Sequence, residues 1–196
     1  LAERARGAFE GNELRQRGRL QRLYTPPKLE GSTLVPEDEP APLDVESITS
    51  LIRPDGQFDR AFPGFEHRPQ QVEMLQTVAE AFNNGRHVLV EAGTGTGKSL
   101  GYLLPAAYWA TGNSRRVVIS TNTINLQDQL IGKDIPALQE TLHLDLRTAI
   151  RKGRSNYICT RLFQQMRRAG PGSADEMTLY ARILLWLPHS QTGDVG

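Results

Sequence analysis

The chain has 196 residues, a formal charge of +1 and a single cysteine, which together exclude several classes of protein. One thiol cannot form an internal disulfide, so a small secreted domain held by disulfides is excluded. No apolar run approaches the roughly 18 residues that a membrane span requires, and no secretory leader is visible. We therefore expect a soluble, cytoplasmic protein with no membrane contact. Because the chain starts with Leu and finishes in a loop-like run, we also expect it to be a segment of a longer protein.

The first 43 residues predict an appendage that precedes the main domain. Residues 1–28 carry seven basic and three acidic side chains in a helix-like pattern, which is typical of a solvated helix. Residues 25–42 are rich in Pro and acidic residues, and this composition predicts an extended linker. We accordingly divide the chain into three parts: an N-terminal helical segment with its linker at 1–43, a first domain at 44–150, and the start of a basic insertion at 151–196.

The middle of the chain alternates between helical and strand patterns. Helices are predicted over residues 44–51, 69–83, 100–110, 124–131 and 136–142, and strands over residues 87–91, 116–120 and 146–150. The predicted strand over residues 87–91 is mostly apolar with little alternation, and the strand over residues 116–120 also has the composition of a buried one, as in a parallel sheet that is covered on both faces. The order of strand, helix, strand, helix, strand predicts an α/β fold, a parallel sheet with crossover helices. Ligands of such sheets bind at the carboxyl ends of the strands.

A glycine-rich turn, AGTGTGKS, follows the first predicted strand directly. It matches the phosphate-binding loop, with Ala in place of the usual first Gly. In such a loop backbone N–H groups point at the anion, Lys98 reaches the β and γ phosphates, and Ser99 offers a hydroxyl to Mg²⁺. A plain flexible turn is the alternative, but the strand before and the helix after favour the phosphate loop. The residues predicted to bind nucleotide here are Ala92, Gly93, Thr94, Gly95, Thr96, Gly97, Lys98 and Ser99.

A basic stretch lies in the last third of the chain. Residues 146–174 contain seven basic side chains and no acidic one, with Tyr157 and Phe163 among them. Basic charge with spaced aromatic rings suits a single-stranded nucleic acid, because it offers cations to phosphates and ring faces to bases. The alternative is a solvated amphipathic helix in which Phe163 and Met166 belong to the core. Directly after this stretch, residues 175–177 are predicted to lie in a loop.

Four segments in series resemble a known group of proteins. RPQQ, EAGTGTGKS, STNTINLQDQL and KGRSNYIC stand in the order and approximate spacing of DinG/XPD-like superfamily 2 DNA helicases. The resemblance covers about residues 62–196. It implies the first motor domain of an ATP-dependent DNA helicase, with a RecA-like P-loop fold, that uses ATP and Mg²⁺ to move 5′ to 3′ along single-stranded DNA in repair or replication.

The resemblance also implies how the nucleotide is recognised. Gln71 is similar to the glutamine that recognises the adenine edge of ATP, and Arg68 supports it. A side-chain amide suits this task because it offers one donor and one acceptor. The alternative is that both residues merely cap the helix that begins at Pro69.

Contacts to DNA and to a metal cluster are implied in the same way. Thr121, Asn122 and Thr123 correspond to a motif that lies against the sugar-phosphate backbone, and Lys152 and Arg154 would extend that contact. For Thr123 the alternative role is helix capping, which does not exclude the other. In addition, Cys159 matches the first of four ligands of a [4Fe-4S] cluster whose other three cysteines would lie beyond residue 196. A small buried hydrophobe is the alternative for this residue.

The sequence departs from the family pattern in two respects. No Asp-Glu-x-His motif and no second motor domain follow, so we expect this segment alone to bind nucleotide weakly and to hydrolyse it hardly at all. Related bacterial proteins carry an exonuclease domain ahead of the helicase, and the predicted linker would suit such a junction. Two other functions stay open: a P-loop ATPase of another class, and a nucleic-acid-binding module without turnover.

Overall fold

The computed structural model describes residues 34–62, 64–93, 95–190 and 192–195. The chain divides into two compact units, of which one spans residues 32–150 and the other contains residues 151–196. The helix predicted over residues 1–28 lies outside the described residues.

Helices form most of the described part of the first unit. They are α1 (Val45–Ser50), α2 (Gln57–Ala61), α3 (Pro69–Asn84), α4 (Lys98–Gly112), α5 (Ile124–Gln129) and α6 (Ile135–Leu142), with a π-helical turn, Leu130–Asp134, between the last two. Each of the five predicted helices is therefore confirmed, with its ends shifted by a few residues. The π-helical turn was not predicted, and it makes α5, the turn and α6 one continuous helical stretch.

Local capping explains where these helices begin and end. A carboxylate oxygen of Asp44 accepts the N–H of Ser47 at 3.0 Å and caps α1. In α3 a proline occupies the first turn, where its missing N–H costs nothing, and Gly85 ends the helix with φ 58°. The hydroxyl of Thr123 accepts the N–H of Leu126 at 3.3 Å, so its predicted capping role is confirmed.

The core of the first unit lies where α3 and α4 pack together. Leu75 and Ala79 of α3 and Leu104 of α4 are fully buried. Val72 and Phe82 pack against the same cluster, in agreement with the helical periodicity of the sequence. On this face the ring of Phe82 stacks on Trp109 of α4, with centroids 5.3 Å apart.

The predicted parallel sheet is not observed in the described residues. Segments 87–91, 116–120 and 146–150 are irregular, and no strand is assigned to the part of the chain that the structure describes. Leu89 is 99% exposed and Val118 is 88% exposed. A buried parallel strand needs hydrogen-bonded neighbours and cover on both faces. In the described residues the three segments form no ladder of backbone hydrogen bonds with one another. Ile119 and Leu146 pack against the core, but most of the other side chains of these segments are exposed.

Two helices form the described part of the second unit. They are α7 (Thr160–Ala169) and α8 (Ala174–Trp186), preceded by a 3₁₀ turn at Arg154–Asn156 and followed by another at Leu187–His189. The core consists of Phe163, Tyr180 and Leu187, and the first two rings have centroids 5.5 Å apart. Across the whole described part of the chain, no helix is long and apolar enough to cross a membrane.

The loop predicted over residues 175–177 is wrong, because these residues form the first turn of α8. The hydroxyl of Ser173 accepts the N–H of Glu176 at 3.2 Å, and the Glu176 carboxylate accepts the N–H of Gly172 at 2.6 Å. This is a capping box shifted by one residue, and it starts the helix. The spacing of Ser173 and Glu176 was visible in the sequence.

Candidate functional site

Two glycines of the phosphate loop adopt left-handed backbone conformations. Gly95 has φ 80° and Gly97 has φ 74°, values that residues with a Cβ rarely adopt. Gly97 is the N-cap of α4, so Lys98 and Ser99 occupy its first turn. A Cβ added at Gly95 would meet nothing within 4 Å, which shows that the loop is open at this point. At Gly95, therefore, no side chain covers the loop, whereas at Gly97 the Gln71 side chain lies against it.

The ammonium of Lys98 folds back over this loop. Its Nζ donates to the carbonyl oxygen of Ala92 at 3.1 Å and to that of Gly93. The hydroxyl of Thr96 donates to the same Gly93 carbonyl at 3.0 Å. Lys98 is exposed, so phosphate oxygens can replace the two carbonyls as acceptors without a change of fold. Ammonium, open backbone and helix N-terminus together form a donor set that fits a polyphosphate. Thr94 lies outside the described residues.

Gln71 of α3 lies directly against the loop. Its side-chain amide is only 4% exposed, and Nε2 donates to the carbonyl oxygen of Gly97 at 2.9 Å. A Cβ at Gly97 would stand 2.1 Å from the same nitrogen, so a larger residue there would have to displace the Gln71 amide, and the φ of 74° disfavours such a residue in any case. The structure thus joins the predicted adenine-binding residue to the phosphate loop, a contact that the sequence did not predict.

Arg68 points to a different partner. Its guanidinium pairs with the carboxylate of Glu66 at 2.7 Å, and both side chains are substantially exposed. Arg68 is the N-cap residue of α3, but its side chain makes no capping bond. The alternative that Arg68 and Gln71 are only helix caps is therefore wrong as far as their side chains are concerned. Support of Gln71 by Arg68 stays a prediction.

Tyr102 is a site residue that the sequence analysis missed. It lies three residues after Ser99 on the same face of α4, and its hydroxyl hydrogen-bonds to Ser99. Burial raises the pKa of Tyr102, the Ser99 bond partly offsets this, and the nearby Asp134 carboxylate raises the pKa further. Asp134 ends the π-helical turn, and its charge acts on Tyr102 from there. The spacing of Ser99 and Tyr102 in the sequence could have indicated this contact.

Residues 121–123 form a short exposed turn at the start of α5. The hydroxyl of Thr121 donates to the carbonyl oxygen of Thr123 at 3.1 Å, and Thr123 caps the helix. Asn122 and Thr123 are exposed. A capping hydroxyl accepts through its oxygen and keeps its own hydrogen for another acceptor. The turn therefore retains donors for a phosphate group, in line with the predicted contact to DNA.

The two basic residues predicted to touch DNA have different surroundings. Lys152 is 8% exposed in its side chain, and its ammonium pairs with Asp194 at 2.8 Å. The Lys152 backbone N–H also donates to the hydroxyl of Tyr157 at 2.9 Å. In contrast, Arg154 begins the 3₁₀ turn and is exposed. Of the two, only Arg154 presents its side chain to solvent.

The aromatic part of the nucleic-acid prediction is wrong for Phe163. This ring is 7% exposed and packs on Tyr180 in the core of the second unit, so no base can stack on it. Phe163 faces inward and its basic neighbours face outward, as the alternative of an amphipathic helix predicted. Arg161, Gln164, Gln165 and Arg168 line a shallow open cavity of about 550 Å³ on α7.

Cys159 is an exposed free thiol at the N-cap of α7. The backbone N–H of Leu162 lowers the pKa of this thiol and desolvation opposes it, while the Arg161 backbone and the charges of Arg161 and Arg154 lower the pKa further. A buried apolar role is thereby wrong. No group of three or more His, Cys, Asp or Glu suited to a metal is found among the described residues. A four-thiolate cluster does not fit this chain by itself, because the sequence holds one cysteine.

Comparison with known proteins identifies the family. The chain is 41% identical over 133 residues to the 3′-5′ exonuclease DinG of Bacillus subtilis. The aligned region covers 68% of this chain and 14% of that protein. The chain is 39% identical over 150 residues to the ATP-dependent DNA helicase YoaA of Escherichia coli, which covers 76% and 23%. The chain thus spans less than a quarter of the length of either relative. Residues 68–166, just over half of the chain, match the DEAD/DEAH box helicases, and the chain belongs to this family.

Proposed function

We propose that this chain is the ATP-binding part of an ATP-dependent DNA helicase. The observation that carries the proposal is the hydrogen bond from Gln71 Nε2 to the Gly97 carbonyl oxygen, because an amide beside the phosphate loop supports a role in adenine recognition. The family assignment and the helicase name of the Escherichia coli relative support it.

Membership of the family implies a P-loop NTPase fold of the RecA type. We propose in addition that segments 87–91, 116–120 and 146–150 become neighbouring strands of a parallel sheet in the full-length protein. Their apolar composition and their places before and between the helices support this. Such a sheet would bring the phosphate loop and residues 121–123 to the same edge.

ATP binding would exchange contacts that already exist in the loop. The Lys98 ammonium would leave the carbonyls of Ala92 and Gly93 and bind the β and γ phosphates, whose negative charge it would offset. Because Gln71 is held against Gly97, adenine would bind where the loop is already in its binding conformation. Mg²⁺, held in part by the Ser99 hydroxyl, would neutralise phosphate charge during transfer to water.

We propose that the helicase moves along single-stranded DNA. The donors of residues 121–123 and the exposed guanidinium of Arg154 suit phosphate oxygens and carry no base specificity. Movement from 5′ to 3′ and a role in repair or replication rest on the resemblance alone, as does a cluster completed by three cysteines outside this chain. An exonuclease domain upstream is supported by the name of the Bacillus subtilis relative. We propose that the protein acts in the cytoplasm.

The test is ATP hydrolysis by the full-length protein with and without single-stranded DNA. We expect DNA to stimulate turnover, and Lys98→Ala to abolish it because the β and γ phosphates then lose the ammonium that would hold them and offset their charge. Lys133→Ala is a matched control, since this exposed lysine lies in the same unit outside the loop. Partial duplexes with 5′ or 3′ tails then measure the direction of movement.

The outcomes separate the competing functions. ATP turnover that depends on Lys98 but ignores DNA would indicate a P-loop ATPase of another class. DNA binding with no turnover, unchanged by Lys98→Ala, would indicate a binding module. Turnover that survives Lys98→Ala would contradict the proposed site itself.

A further inference from the structure

We propose that residues 37–43 form an intramolecular strap that fixes α3 relative to α4 and thereby positions Gln71 at the phosphate loop. The inference rests on the proposed function, because it assigns to the strap a role in adenine recognition. The strap comes from the segment that the composition predicted to be an extended linker. Its role is argued from a set of hydrogen bonds at the ends of the two helices that hold the nucleotide site.

Two asparagine side chains bind the strap through its backbone. Asn113, the C-cap of α4, accepts the N–H of Ala41 at 2.7 Å and donates to the carbonyl of the same residue at 3.2 Å. Asn83, near the end of α3, accepts the N–H of Leu43 at 2.6 Å and donates to its carbonyl at 2.9 Å. Each amide thus satisfies both backbone groups of one residue, as a neighbouring β-strand would.

The sequence of the strap suits this arrangement. Proline at positions 40 and 42 fixes φ at those residues and disfavours a helical conformation at Ala41. In an extended chain, alternate residues direct their N–H and C=O groups to opposite edges. Ala41 and Leu43 therefore face the asparagines, whereas Pro42 faces away and leaves no N–H without an acceptor. Leu43 is 9% exposed and anchors the strap in the core.

Further contacts hold the upstream end of the strap. The N–H of Glu37 donates to the backbone carbonyl of Asn113 at 3.2 Å. The Glu37 carbonyl accepts from the Arg115 guanidinium at 2.8 Å. Asn113 is 2% exposed, so a buried amide would lose its partners if the strap left. Loss of such partners is costly, which favours a strap that stays bound.

The strap and the nucleotide site lie at opposite ends of the same helix pair. Gln71 near the start of α3 contacts Gly97 at the start of α4. Asn83 and Asn113 lie at the other ends and hold strap residues only two positions apart. The helices therefore run side by side in the same direction and are joined at both ends. A shift of α3 along α4 would move Gln71 relative to Gly97, and the strap opposes that shift.

The first measurement is amide hydrogen exchange in the full-length protein, followed on peptides that contain residues 37–43. Asn113→Ala and Asn83→Ala should each speed exchange in the strap roughly ten-fold, as expected for one lost hydrogen-bonding partner. Thr111→Ala and Asn84→Ala are the controls, because both side chains bond to carbonyls of their own helix, those of Ala107 and Tyr108 for Thr111 and that of Glu80 for Asn84. Strap amides that exchange as fast as an unstructured peptide in the parent protein would overturn the proposal.

The second measurement is the dissociation constant of ATP and of GTP. The two asparagine variants should weaken ATP binding by roughly three- to ten-fold and reduce the preference for ATP over GTP, whereas the controls change neither. Combined with Gln71→Ala, they should have little further effect, since both act on the same contact. A strap with only a structural role would lower the unfolding temperature and leave the nucleotide preference unchanged, which would overturn the positioning role. A parent protein that binds no ATP overturns the proposed function and this role together, while exchange still decides whether the strap is bound.

Discussion

Backbone conformation and the contact with Gln71 both limit which residue the phosphate loop tolerates at position 97. The Gln71 nitrogen lies where a side chain at Gly97 would begin, so position 97 is constrained from two directions. Gly95 has a similar φ but open space around it. Both glycines therefore serve the backbone conformation of the loop, whereas only Gly97, which occupies the fixed glycine position of the motif, also leaves room for the Gln71 amide.

We predict that Gly97→Ala abolishes ATP binding while the protein stays folded. The new methyl group must displace Gln71 and hold a φ of 74°, and both effects distort the loop. Gly112→Ala is the control, because this glycine ends the same helix with open space around it, and the change should alter stability by no more than about 1 kcal/mol. ATP titration and circular dichroism measure the two effects. ATP affinity in Gly97→Ala equal to that of the parent would contradict the prediction.

The ammonium of Lys152, which was predicted to contact DNA, is paired with the carboxylate of Asp194 instead. We expect a double-mutant cycle of Lys152→Ala and Asp194→Ala to give a coupling energy of about 1–3 kcal/mol in urea unfolding, because the pair is largely shielded from water. The exposed pair of Arg53 and Glu46 is the matched control, for which about 0–1 kcal/mol is expected. Equal coupling energies for the two pairs would show that Lys152 is not held in this way.

At the scale of elements, helices were predicted well because their signals are local. Asp44, Thr123 and Gly85 cap or end helices through atoms at most a few residues away. Helix α8 was missed even though Ser173 and Glu176 give the same kind of local signal. The strands differ, since their hydrogen bonds depend on partners far along the chain, and the contact of Gln71 with Gly97 joins residues 26 apart in the same non-local way.

The amphipathic helix α7 gives a prediction that separates core packing from base stacking. Phe163→Ala should destabilise the second unit by about 3–5 kcal/mol, because it leaves a cavity beside Tyr180. Phe163→Leu preserves most of the packing, so affinity for single-stranded DNA should stay within two-fold of the parent. Leu162→Ala is the control, since this neighbour is 54% exposed and should change stability by no more than about 0.5 kcal/mol. If Phe163→Leu weakened DNA binding ten-fold without loss of stability, the ring would have to contact DNA.

At the scale of the whole molecule, the candidate site divides into parts of different completeness. The loop, Lys98 and Gln71 lie together within the first unit, and their geometry follows from the described residues alone. The geometry of the proposed sheet edge does not follow from the described residues, because the apolar segments on either side of α4 are exposed. The chain covers 14% and 23% of the length of the two relatives compared above, so the remaining length of such proteins could supply further strands.

We therefore expect the exposed apolar segments to behave differently in the 196-residue chain and in the full-length protein. Backbone amides of residues 87–91 and 116–120 should exchange rapidly in the 196-residue chain and at least about a hundred-fold more slowly in the full-length protein, where neighbouring strands would cover them. Amides of α3 around Leu75, which is fully buried already, serve as the internal reference and should change far less. ATP affinity should rise in parallel, since the carboxyl end of segment 87–91 leads directly into the phosphate loop. Equally fast exchange of both segments in the full-length protein would show that they form no sheet, and the P-loop would then have to bind nucleotide without one.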